Sequence, residues 1–433
     1  MKGFVMTGIV IAAAALAGGS RDAQRSASSM NEIAESYVKL VLALGQHDTD
    51  YVDAYYGPAE WKQQAEKAKA PLADLAGRAR SLLERVTKLP APSAEMERLR
   101  HQYLERQLSA VNARIRMLQG QRMTFDEESK ALYDAVAPTL PESHFQTILD
   151  QLEKAFPGGG PLVSRYDRFR SRFVIPREKV DAVFKAAIQG CRERTRAHIQ
   201  LPDDERFTIE YVTNKSWSGY NWYQGGFRSL IQVNTDLPIY IDRAVDLACH
   251  EGYPGHHVYN ALLEKHLVRD RGWNEFSVYP LFSPQSLIAE GTANYGIEVA
   301  FPGPARIAFE KSTLFPAAGL DPGGAEEYYR VQGLVEQLAY AGNEAARRYL
   351  NGEIDRAAAA AWLERFALMP KDRAAQRVRF FDQYRSYVIN YNLGKDLVRR
   401  FVESRAGGTD HEAKRWLEFA TLLSSPRLPS TLK

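Results

Sequence analysis

A proline followed by a glycine inside a histidine-rich helical stretch constrains this chain more than any other feature. The segment reads Cys249-His250-Glu251-Gly252-Tyr253-Pro254-Gly255-His256-His257 and holds three of the nine histidines in 433 residues. Pro254 cannot donate a helical hydrogen bond and Gly255 tolerates unusual dihedrals, so a break or bulge must separate His250 from the pair that follows. In an unbroken helix His256 would lie about 120° off the face of His250, and His257 about 10 Å further along it. Neither would meet His250. If Pro-Gly expands the turn by two residues, His256 comes into reach; His257 is the other candidate.

A His-Glu pair with a further His shortly after it is how helical zinc peptidases gather two imidazole ligands, with the Glu beside them as general base. A third ligand is then required. Some forty residues on stands Glu290-Gly291-Thr292-Ala293-Asn294-Tyr295-Gly296-Ile297-Glu298. Leu287, Ile288, Ala293 and Ile297 give this stretch a buried helical face, and an acid on so apolar a helix must find a partner or a metal. Gly291 beside it admits another backbone. His250, His256 and Glu290 would hold one zinc ion and leave a position open for water, the arrangement of a catalytic site rather than a closed structural one. Glu251 is the expected base, and His257 the remaining group, either supporting a ligand from behind or facing the substrate.

The surrounding composition, 45% hydrophobic and 25% charged, is that of a globular protein and excludes wholesale disorder or a multi-span membrane protein. A formal net charge of +3 is too small to draw nucleic acid. Cys191 and Cys249 allow one bridge but no disulfide scaffold, and they lack thiolate-zinc spacing. Met1-Lys2, an apolar run from Phe4 to Ala17 and the small-residue site Ala15-Leu16-Ala17 read as an export signal over 1–17. That run is shorter than the ~18 residues needed to span a bilayer, and Gly19 stands where a lipidated cysteine would be. The expectation is an exported, periplasmic protein with no membrane span in its mature form, an uncleaved N-terminal anchor being the alternative.

Residues 18–433 are expected to form a single metallohydrolase domain, with a helical N-terminal lobe over 30–200 and a metal-site lobe over 205–433. Ile33, Tyr37, Leu40, Val41 and Leu44 recur at helix spacing, and 59–88, 93–120 and 142–155 are rich in strong helix formers. Residues 206–212 and 228–235 alternate and are β-branched or aromatic, so they read as two strands of a small antiparallel element joined by a long Gly- and Trp-rich loop. Pro238 is placed to open a helix leading into the histidines.

His250-Glu251-x-x-Pro254-Gly255-His256-His257 followed by Glu290-Gly291-x-Ala293-x-Tyr295-x-x-Glu298 resembles the bacterial family known as domain of unknown function 885. Gln232-Val233-Asn234-Thr235 and Tyr391-Asn392-Leu393-Gly394-Lys395 are also similar to it, and the resemblance covers roughly 205–405. It implies a mainly α, elongated, zincin-like (gluzincin) fold with a deep cleft, distantly similar to the thimet oligopeptidase, carboxypeptidase Taq and angiotensin-converting enzyme group. In those the second ligand follows a Gly, which favours His256. The family pattern leaves the developing oxyanion to a Tyr or Arg of the C-terminal helices; Tyr384, Arg385, Tyr387 and Tyr391 are the candidates, and the resemblance reaches Tyr391. Where many members carry a His after a Gly, this chain has Gly342-Asn343-Glu344.

The reading is therefore an exported zinc metallopeptidase acting on peptides. Ile231, Val233 and Asn234 would pair with an extended substrate and Tyr387 would touch it. Two alternatives are a metal-holding envelope scaffold without turnover, and a metal-dependent amidohydrolase acting on a small molecule.

Overall fold

Helices form where apolar residues recur at helical spacing. The computed structural model describes residues 28–215 and 217–432; the export signal expected over 1–17 lies outside them. A first helix spans 28–44, and Ile33, Tyr37, Leu40, Val41 and Leu44 are all buried. The stretch read as helical over 59–88 is two helices, Ala59–Ala68 and Leu72–Lys88, because Lys69 turns left-handed at φ 43° and Pro71 precedes the second. Glu95–Leu118 and Glu142–Ala155 are helical as expected, and Val180–Arg196 closes this half. No helix among the described residues is long and apolar enough to cross a membrane.

The small β portion differs in topology from the expectation. Strand β1 (Val52–Tyr55) pairs antiparallel with β5 (Val278–Pro280), tying the N-terminal half to the segment before Glu290. The other sheet holds β2 (Arg206–Val212), β3 (Gly219–Gly225) and β4 (Arg228–Asn234) in the order β2-β4-β3. The two strands read from sequence exist, but they are parallel neighbours, and the supposed loop between them carries β3, antiparallel to β4. Gly225, Gly226 and Phe227, with φ of 74°, 62° and 60°, make the tight turn that folds β3 onto β4. Because β4 is central, both of its edges are filled. Strand addition needs a free edge, so Ile231, Val233 and Asn234 cannot pair with a peptide through their backbone, although Asn234 lines the cavity. Ile231 and Val233 are buried, and Asn234 donates to the carbonyls of Lys215 and Trp217.

The helix entering the histidine segment begins at Asp242 rather than Pro238. The Ile175 N–H donates to the Ile239 carbonyl and the Ile241 N–H to the Phe173 carbonyl, a bridge to the preceding half that holds 239–240 out of the helix and delays its start. Pro284–Ala300, the helix carrying Glu290, has a proline at its start and is buried on nearly every side. It crosses Ile389–Ala406 with backbone against backbone: a Cβ on Gly291 would lie 2.5 Å from the Gly394 carbonyl oxygen, and one on Gly394 2.7 Å from that of Leu287. A bidentate pair between Arg100 and Glu275, both buried, fastens the halves together.

An alanine in place of a mid-helix glycine ordinarily stabilises by about 1 kcal/mol. At Gly291 the added methyl meets immovable backbone, so Gly291→Ala should instead destabilise by about 1–3 kcal/mol. Urea denaturation monitored by circular dichroism reads the sign directly.

Candidate metal centre

The histidine segment folds by widening and then breaking its helix. Asp242–Leu247 is α-helical, Ala248–Gly252 forms one π-turn, and a new helix, His256–Leu263, starts after the break. Gly255 closes the break by donating its N–H to the Cys249 carbonyl at 2.9 Å. Its Cα lies so near the preceding turn that a Cβ would sit 1.9 Å from the His250 carbonyl oxygen. Only glycine fits there, and the approach places His256 directly beside His250. Cys249 is joined to Cys191 of the Val180–Arg196 helix by a disulfide, which anchors the π-turn from behind.

The Nε2 atoms of His250 and His256 are 3.1 Å apart, and Glu290 Oε2 lies 3.3 Å from the first and 3.9 Å from the second. Donors sharing one small ion at about 2.1 Å with tetrahedral angles stand about 3.4 Å from one another. Glu290 Oε2 is buried and accepts no hydrogen bond, a costly state for a carboxylate without a cation. Burial opposes ionisation of Glu290, but His250, His256 and Tyr387 outweigh it and hold the carboxyl below its usual range. Burial, followed by the charge of His250, pushes His256 down to about 4, leaving a neutral imidazole, the ligating form. Burial also acts against charging His250, yet contact with Glu290 raises it. Among the described residues this trio is the cluster of chemistry and spacing suited to a metal ion.

Glu251, next along the π-turn, points to the same cavity. Burial pushes its carboxyl up to about 7, with Glu290 and Asp53 adding to the rise and His250 and Arg243 opposing it. Gly219 of β3 lies over this group, since a Cβ there would meet Glu251 Oε1 at 2.9 Å. Asn221 of β3 donates to the Glu251 carbonyl at 2.7 Å. The cavity has a volume of about 1340 Å³ and takes in the metal trio, Glu251, Tyr384, Tyr387 and Tyr391.

The expected face of three tyrosines straddles a change of helix: Lys371–Tyr384 ends, Arg385–Val388 is a 3-10 turn, and Ile389–Ala406 follows. Two of them, Tyr387 and Tyr391, have different work. Tyr387 lines the cavity, but its hydroxyl is engaged by the metal trio: it donates to Glu290 Oε1 at 2.8 Å. Tyr391 lines the cavity and no described residue bonds its hydroxyl, while burial keeps that hydroxyl protonated. Arg385, at φ 51°, turns away and donates to Glu128 at 2.6 Å. Asn343, at the position where a His was sought, is buried and bonds Asn392.

His257 is corrected outright. It is fully buried, with Nδ1 2.9 Å from Ser229 Oγ and Nε2 3.1 Å from Glu205 Oε2. Ser229, His257 and Glu205 follow the order of a charge-relay triad, but all three are buried away from the cavity. Burial raises the Glu205 carboxyl, but bonds from His257, Tyr253 and Arg192 win and bring it to about 2. The group clamps the start of the His256–Leu263 helix. Sequence reasoning missed Glu205 and also Asp53, a β1 carboxyl that burial pushes up to about 7 and that bonds Tyr220 of β3. An acidic residue within the short aromatic strand at 52–55 was the available signal.

No family model matches the chain and no curated protein matches it significantly. Among solved structures, it is similar to Trypanosoma cruzi metallocarboxypeptidase 1, at 12% identity and TM-score 0.50 over 92% of this chain and 91% of that one. It is also similar to a candidate lipoprotein from Colwellia psychrerythraea, at 14% identity and TM-score 0.50 over 86% of this chain and 70% of that one. At such identities the likeness is one of fold: mainly α, as expected, and resembling a metallocarboxypeptidase.

Two substitutions separate the roles. Tyr387→Phe removes the bond orienting Glu290 and should lower metal affinity about 10- to 100-fold, read by competition with a chelating dye. His256→Ala should abolish stoichiometric metal binding, whereas His257→Ala should keep it and lose about 1–3 kcal/mol of stability by taking one of its three partners from buried Glu205 and leaving Ser229 unpaired, read by elemental analysis and denaturation.

Proposed function

We propose that the protein is a zinc-dependent metallopeptidase that hydrolyses amide bonds of peptides in its central cavity. The observation that carries this is the meeting, on one cavity wall, of the His250/His256/Glu290 trio with a carboxyl and a hydroxyl that no described side chain engages, those of Glu251 and Tyr391. His250, His256 and Glu290 would hold a divalent ion, which when bound would supply Lewis acidity toward an amide carbonyl. Glu251 removes the proton of the attacking water and passes it to the departing amine; a base poised near neutrality suits both transfers. The Tyr391 hydroxyl donates to the oxygen on which negative charge develops. Zinc fits two imidazoles and one carboxylate.

A cavity of about 1340 Å³ is larger than a pocket built for one small molecule, which favours a peptide over a small amide. The rim strand is β3, whose Gly219, Tyr220 and Asn221 line the cavity. A scaffold without turnover would have no use for an unpaired carboxyl held beside the ligands. Membership of the domain-of-unknown-function 885 family rests on the motifs quoted above. An exported location agrees with the Cys191–Cys249 bridge, since such bonds persist in oxidising compartments.

Glu251→Gln keeps the side chain's shape and removes its basicity. The variant should retain zinc and lose about 10²-fold or more of peptide turnover. Activity near the parent level would refute the mechanism, and loss of zinc would make Glu251 a ligand.

A further inference from the structure

Several arginines line the same cavity, and the mechanism above does not use their charge. Arg373 and Arg377 lie one turn apart on one face of the Lys371–Tyr384 helix, and both line the cavity. No acidic side chain pairs with either among the described residues. The Arg377 guanidinium sits 4.5 Å from the Phe380 ring centre and 5.7 Å from that of Tyr391; its Nε is buried and bonds nothing. Tyr391 is within the electrostatic reach of both Glu290 and Glu251, so Arg377 stands one aromatic ring away from the metal centre.

Arg373 continues the cationic wall. Arg170 and Arg243, which also line the cavity, are near enough that, after burial, their repulsion lowers its proton affinity. Arg170 lies 3.7 Å from the Tyr240 ring centre, with its own Nε unbonded. Arg243 has Asp246 at 3.0 Å, but Asp246 is shared with Arg306 at 2.8 Å. Against its burial, Asp242, another carboxylate of the lining, acts on Arg170 and raises its proton affinity. That leaves Arg373 and Arg377 with no paired acid among the described residues, a placement that costs free energy in the folded chain. A planar fork of donors held against aromatic rings is also the geometry that takes a carboxylate with two parallel bonds.

We propose that Arg377, assisted by Arg373, is a carboxylate-recognition site that selects substrates bearing a free carboxylate beside the bond to be cleaved. The proposal rests on the peptidase reading and adds its specificity. The carboxylate has two sources in peptides, the chain's C-terminus and an acidic side chain, and the recognition chemistry is shared by both.

The test uses three N-acetylated peptides of otherwise neutral sequence: one with a free C-terminal acid, its C-terminal amide, and an amide whose last residue is Glu. Binding to the zinc-loaded protein is measured by calorimetry and hydrolysis by kcat/KM. The free acid should bind about 10- to 100-fold more tightly than the plain amide, the effect of a hydrogen-bonded charge. Arg377→Gln should erase that preference with zinc content unchanged, and Arg373→Gln should reduce it. Arg377→Lys, which keeps the charge without the fork, should retain part of it. Because Arg377 has no acid partner to strand, the Gln variant should melt no lower than the parent; this guards against misfolding as the cause.

If the Glu-ended amide matches the free acid, the side chain is an accepted source; if it matches the plain amide, the C-terminus is the one read. Equal binding of acid and plain amide by the parent, or a preference that survives both Gln substitutions, overturns the proposal. Turnover indifferent to the carboxylate would leave the peptidase reading standing and remove this one. A carboxylate preference in binding without hydrolysis of any peptide would do the reverse.

Discussion

The centre depends on one close backbone approach, that of Gly255 to the carbonyl of His250. A π-turn adds a residue to the helix and Pro254 ends it, yet neither would align the imidazoles if the chain then moved away. The absent side chain at Gly255 lets the new helix begin against the old one. Two ring nitrogens six residues apart thereby face each other at 3.1 Å. The same means recurs at Gly291 and Gly394, where two long helices touch through backbone and bring Glu290 within reach of Tyr387. Three glycines thus set the position of two of the three ligands.

Around that geometry the buried charges form two groups with different states. Glu205, His257, Tyr253 and Arg192 saturate one another, so the group is rigid and closed. Glu290, His250 and His256 do not, because their ligand atoms converge and Oε2 is left without a hydrogen bond. The chain has adjacent histidines of the same chemistry, and their surroundings decide that one supports the helix while the other faces the cavity. A fully bonded cluster stabilises the fold, whereas an incompletely bonded one is available to a ligand.

Much of the centre was legible in the sequence because its constraints are local. The Pro-Gly break, the small residue beside Glu290 and the open-position donor set all follow from residues near one another in the chain. What escaped was decided by contacts between distant segments. β3 lies in a Gly- and Trp-rich stretch whose composition reads as loop, and its place beside β4 moved the free sheet edge and ruled out strand pairing of a peptide with Ile231, Val233 and Asn234. Tyr387 and Tyr391 look alike at spacing four, and only the placement of Glu290 separates a supporting hydroxyl from a free one. Nothing local marked Arg377, whose importance comes from lining the cavity with no acidic side chain paired to it among the described residues. The helical scaffold was the most legible part, apart from ends set by tertiary pairing, such as the delayed start at Asp242.

The tyrosine that steadies Glu290 lies 97 residues beyond it, and the helix crossing that seats both is completed only at Gly394. His250 and His256, by contrast, meet within a single turn and break of the chain. During synthesis from the N-terminus the two imidazoles are therefore available long before the carboxylate is oriented. An ion met at that stage would find two ligands and no finished cage, since contacts of such separation form late. Secure retention of the metal thus belongs to the completed chain, and a ribosome-bound or C-terminally shortened form would carry the histidine motif intact without the means to keep an ion in it.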